Sequence, residues 1–112
     1  MLKRISLLVV VPIAMLCAQT QSAMNAQARA DFERADAELN KTYTALLARL
    51  PDAESKQKLQ ESQRAWIAFR DAEASFAADQ VRGGTAAPTV RYSSMTECTA
   101  QRIKQLKSDF PP

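Results

Sequence analysis

The 112-residue chain contains no histidine, two glycines, two cysteines and one tryptophan, and only 6% of it is aromatic. Without histidine it cannot build a Ser-His-Asp or Cys-His nucleophile system, a His-ligated zinc site or a protein-ligated haem of the usual kind. Two cysteines are too few for a four-thiolate metal site, so no metal or cofactor is expected. The length allows a single domain, and 46% apolar residues are too many for a disordered chain. What remains is a small folded unit that works by binding. Two carboxylates in concert would need Asp36 and Asp71, which no spacing in the sequence brings together, so the chain is not expected to be an enzyme.

The N-terminus is different material from the rest. Lys3 and Arg4 precede an apolar stretch from Ile5 to Leu16, interrupted only by Ser6 and Pro12, and the composition turns polar at Gln19. A basic start, an apolar centre of about a dozen residues and a small residue at the exit form the pattern of an export signal. The stretch is shorter than the roughly 20 residues that span a bilayer. Residues 1–18 are therefore read as a signal peptide cleaved after Ala18, leaving 19–112 as the domain, secreted across the inner membrane and most simply periplasmic, with no stable membrane span after cleavage. Lipid attachment at Cys17 is the less favoured alternative, because bulky Leu16 precedes it. Cleavage would leave Cys98 as a lone thiol, either buried or available to another chain.

Processing also changes the charge. The whole chain carries 15 basic and 12 acidic residues, net +3, and loss of Lys3 and Arg4 leaves 13 basic residues against 12. No basic cluster follows a phosphate backbone, so nucleic acid is not an expected partner.

The remainder reads as a small antiparallel bundle of three helices, all-α, over about 24–50, 53–82 and 90–108. Residues 24–50 lack Gly and Pro, and Phe32, Ala35, Leu39, Tyr43, Leu46 and Leu50 recur at helical spacing. Pro51 stops this helix and Asp52 is placed to cap the next. In the second helix Leu59, Trp66, Phe69 and Phe76 are read as the large apolar face, with Ala65, Ala72 and Ala77 beside it. Gly83-Gly84 ends it. The third helix directs Tyr92, Met95, Thr99, Ile103 and Leu106 toward the same core, with Phe110 extending the row.

Polar residues interleave with the apolar stripes. Asp36, Asn40 and Tyr43 follow one another at i, i+4 and i+7; Gln63, Trp66 and Arg70 share a face, with Asp71 adjacent; Arg102 follows Cys98 by four. Together they are expected to form a hydrogen-bonded seam in which Arg70 or Arg102 holds Asp36 or Asp71 in bidentate fashion. A register-fixing role between helices and a role in facing a partner both remain open, and Trp66 is most simply a core residue.

At these residues the chain resembles the LprI-like lysozyme inhibitor N-terminal domain family. The matching stretches are Ala35-Asp36-Ala37-Glu38-Leu39-Asn40-Lys41-Thr42-Tyr43, then Leu59 with Gln63-Arg64-Ala65-Trp66-Ile67 and Arg70-Asp71-Ala72-Glu73, then Gly83-Gly84, and finally Glu97-Cys98 with Arg102 and Leu106. Members of the family usually carry further cysteines; here Gln27 or a neighbour stands at one such position and Ala74 at another, so no internal disulfide is expected. The resemblance implies an exported envelope protein that binds and inhibits lysozyme. An inhibitor of that kind must enter a cleft lined by two carboxylates, and the 83–91 connector, with Gly83, Gly84 and Arg91, is the segment suited to it. The alternative is a structural or accessory envelope protein that pairs with itself or with another exported protein.

Overall fold

A computed structural model describes residues 2–112, in which three helices follow one another: α1 (Ile13–Arg49), α2 (Ala53–Asp79) and α3 (Ala87–Asp109). α1 starts eleven residues earlier than the sequence reading placed it. Pro12 fixes the boundary, since its own backbone is extended (φ −61°, ψ 141°) and nothing from Ile13 onward interrupts the helix until Pro51. Residues 2–12 have no regular structure, and every residue from 2 to 20 is exposed. Among the described residues no helix is long and apolar enough to cross a membrane.

The other boundaries also have local causes. The α2 cap is the expected one, with the Asp52 carboxylate accepting from the Ser55 N–H at 2.7 Å. This bond holds the Asp52 carboxyl below its ordinary range. α2 closes at Asp79 rather than Arg82, because residues 78–84 tighten into 3-10-type turns with i to i+3 bonds: Val81 N–H to Ala78 O, Arg82 N–H to Asp79 O and Gly84 N–H to Val81 O. α3 begins at Ala87, before the expected start. Pro88 lies within its first turn, where a missing N–H costs the helix nothing.

α3 packs on both α1 and α2, running parallel to α1 and antiparallel to α2. Leu39, Leu46, Ile103 and Leu106 form the buried apolar cluster, with Tyr43, Leu50, Leu59 and Trp66 against it. Burying each such aliphatic side chain contributes roughly 1.5–3 kcal/mol. This cluster occupies the end of the bundle nearest the α1–α2 turn. Toward the other end the buried residues are small or flexible, namely Ala28, Ala74 and Met95. The molecule is correspondingly elongated, 85 × 34 × 19 Å with a radius of gyration of 21.7 Å, against about 13 Å for a globular domain of this length.

The inner face of α2 differs from the expected one. Phe69 and Phe76, read as core, are 57% and 66% exposed, whereas Gln63, Arg70 and Ala74 are buried. Phe110 is also largely exposed, at 45%. The inward direction of α2 lies between Leu59 and Trp66 on one side and Ala74 on the other. At 100° per residue, Phe69 and Phe76 fall roughly 100–120° from that direction, on the flank of the helix.

Candidate functional site

The α2–α3 elbow opens a groove at the end of the bundle away from the apolar cluster. The turn residues dictate its shape. Gly83 has φ +80°, a left-handed conformation that glycine adopts without strain. Gly84 is held close: a Cβ there would meet the Val81 carbonyl oxygen at 3.1 Å. A polar clamp pins the elbow to α1. Gln21 Nε2 donates to Thr89 Oγ1 at 3.3 Å, Asn25 Nδ2 donates to the Thr85 carbonyl at 3.4 Å, and the Thr89 hydroxyl donates to Asn25 Oδ1.

The groove, of about 810 Å³, runs between the end of α2 and the first turns of α3. Phe32 from α1 and Tyr92 from α3 line it, with ring centroids 6.0 Å apart and planes tilted by 34°. Gly83, Arg82, Asp79 and Arg91 also line it, while Gly84 lies beside it in the turn. Arg82 Nε lies 3.3 Å from Asp79 Oδ1, both well exposed. Arg91 is exposed, and among the described residues no carboxylate lies within salt-bridge distance of it. An aromatic wall below and guanidinium groups at the rim suit a partner that offers a carboxylate next to apolar surface. Of these lining residues, the sequence pointed to Gly83 and Arg91. Phe32 and Tyr92 were assigned to the core, and Arg82 drew no notice although it immediately precedes the glycine pair.

The polar seam is assembled, with a different division of labour from the expected one. Arg70 alone reaches the carboxylates, Nε to Asp71 Oδ1 at 3.0 Å and Nη1 to Asp36 Oδ1 at 3.4 Å. One guanidinium thus bridges two aspartates through single contacts rather than gripping either one bidentately. It also lies over the rings of Phe32 and Trp66, 5.1 and 5.2 Å from their centroids. Arg102 takes neutral partners: Nε to Gln63 Oε1 at 3.1 Å, Nη1 to Gln105 Oε1 at 2.8 Å and Nη2 to Ser62 Oγ at 3.1 Å. Burial lowers its pKa, with Asp109 opposing. Its guanidinium lies 5.9 Å from the Trp66 ring centroid, so half-buried Trp66 sits between two arginines. Asn40 is exposed beside Tyr43 and joins none of these bonds. Ser62 and Gln105 are seam members that the sequence reading missed; Gln105, three residues after Arg102, was the available signal.

Cys98 is half-buried in a hollow lined by Trp66, Phe69 and Arg102. Burial raises its pKa, Glu73 and Glu97 raise it further, and Arg70 opposes. Cys17 is exposed, and neither cysteine is in a disulfide.

Comparison with known proteins adds a lineage to this geometry. An uncharacterized protein of Rhizobium meliloti (strain 1021) is 32% identical over 102 residues, covering 80% of this chain and 73% of that protein. No solved structure matches. The family model "Lysozyme inhibitor LprI" matches residues 14–106, which takes in α2, nearly all of α1 and α3, the arginine seam and the elbow; the chain therefore belongs to the LprI lysozyme inhibitor family, an inhibitor family rather than an enzyme family.

Proposed function

We propose that the chain is an exported, periplasmic protein-binding domain that inhibits lysozyme, with the α2–α3 elbow as its contact surface and Arg91 as the side chain presented to the enzyme's paired carboxylates. The family match over residues 14–106 carries the reading. The elbow supports it physically. A guanidinium without a carboxylate partner among the described residues is free to make a charge-assisted pair elsewhere, and the clamp to α1 limits the ordering that binding requires. Export is supported by the basic and apolar pattern of residues 1–18, a segment exposed from residue 2 onward, whose last six residues belong to the unpacked start of α1. A mature charge near +1 gives little long-range attraction to a basic enzyme, so recognition depends on short-range complementarity.

The test is a cell-wall lysis assay with lysozyme. The protein should slow lysis at stoichiometric ratios, and Arg91→Ala should raise the concentration required by about tenfold, the loss of one good charge-assisted contact. No inhibition at a large molar excess would overturn the reading. Inhibition unaffected by Arg91→Ala would remove the elbow from it.

A further inference from the structure

Arg70 and Arg102 are the two buried arginines among the described residues, and only Arg70 has carboxylate partners. Arg102 keeps 8% of its exposure, yet among the described residues no carboxylate lies within salt-bridge distance of it. A buried arginine is ordinarily paired, because taking a charge out of water is costly. Its three bonds go to Gln63, Gln105 and Ser62, all neutral, and a guanidinium has further N–H groups to offer. Those bonds fix the plane of the group, so an anion arriving beside it meets donors already oriented.

The structure has a place for that anion. Gln105 and Ser62, the partners of Nη1 and Nη2, line a crevice of about 390 Å³ together with Arg102 itself. The ends of α1 and α3 and the start of α2 enclose it, and Leu50, Leu59 and Leu106 give it an apolar wall. We propose that this crevice binds a small amphipathic carboxylate, its head paired with Arg102 and its hydrocarbon chain laid against the leucines. The volume is at the small end of the range for ligand pockets, which suits a single short chain. Asp109 also lines the crevice and disfavours a second negative charge, so a monocarboxylate fits better than a phosphate dianion. Lys58, another lining residue, is paired only with exposed Glu54, at 3.1 Å, and adds positive charge. The crevice lies at the apolar end of the bundle, away from the elbow, and its role is independent of lysozyme inhibition.

Octanoate is the probe, well below its micelle-forming concentration, titrated into the full chain by calorimetry and by fluorescence. Trp66 is the only tryptophan, and its ring centroid lies 5.9 Å from the Arg102 guanidinium, so an anion bound there should change its emission. Octanoate should bind saturably, one per chain, and 1-octanol, with the same chain and no charge, should bind at least about tenfold more weakly. Gln105→Glu places a carboxylate where Nη1 already donates at 2.8 Å. As an internal counter-ion it should weaken octanoate binding at least about tenfold, with the helical circular dichroism retained and the urea midpoint raised. The octanol comparison needs no variant. The proposal is overturned if octanoate shows no saturable binding, or if octanol binds as tightly, which would leave an apolar crevice without a role for the charge. Octanoate binding unchanged by Gln105→Glu would overturn it as well, because the anion would then belong to Arg91 at the elbow.

Discussion

Arg70 and Arg102 are each about nine-tenths buried, and they satisfy their guanidinium groups in opposite ways. Arg70 is held by Asp36 and Asp71, whose side chains keep 40% and 46% of their exposure, so the pair is buried on the arginine side and hydrated on the carboxylate side. Its stem and planar head also fill space against Phe32 and Trp66. Most of its contribution should therefore come from packing and desolvated hydrogen bonding, while each aspartate, still reached by water, matters less. Arg70→Ala is expected to destabilise the domain by about 2–4 kcal/mol and Asp36→Asn by less than about 1 kcal/mol, measured as urea unfolding midpoints at constant slope. Equal losses for the two would mean that the ion pair, and not the stacking, holds α1 to α2. Arg102, surrounded by Gln63, Gln105 and Ser62, has no such asymmetry; its partners are neutral on every side.

At the scale of the element, α2 depends on its first turn, because Asp52 is its only side-chain cap and sits fully exposed. The backbone N–H of Ser55 lowers the Asp52 pKa from 3.8. A carboxyl whose folded value lies below its unfolded value stabilises the fold fully above the unfolded value, and that contribution is lost as pH falls through the folded one. Asp52→Asn retains an acceptor but not the charge. The stability difference between wild type and Asp52→Asn should thus be constant above about pH 5 and shrink as pH falls below about 4. A difference that did not change between pH 3 and pH 7 would show that the charge plays no part. This cap was legible in the sequence because Pro51-Asp52 follows a long Gly-free and Pro-free run; the helix count and order were legible for the same reason. The buried face of α2 was not. Phe69 and Phe76 outweigh Gln63 and Arg70 on any hydrophobic reading, and only the cross-helix partners Asp36 and Arg102, with Asp71 beside Arg70 on α2 itself, make it favourable to turn the polar residues inward. The elbow groove was half legible. Gly83 and Arg91 mark the loop in sequence, whereas Phe32 reaches it from α1 and could be placed only once α1 and α3 were known to run parallel.

At the scale of the whole molecule, the apolar cluster and the elbow lie at opposite ends, linked by the arginine seam, and the start of α1, residues 13–20, projects beyond both neighbours. The first side-chain bond from α1 to another element is made by Gln21, to Thr89; every residue from 2 to 20 is exposed. Helix before that point is held only by its own hydrogen bonds, and a free helical end of that length is marginal in water. Residues 1–18 should then contribute almost nothing to the stability of the bundle, whether or not they act as an export signal. A chain beginning at Gln19 is expected to unfold within about 0.5 kcal/mol of the full chain, with the same denaturant slope and a smaller hydrodynamic radius. A loss well beyond that would require residues 1–18 to pack on the bundle. Retention of the midpoint would place the folding unit within the helices that begin to touch at Gln21, with the elbow clamp intact and the thiol of Cys98 the only one left.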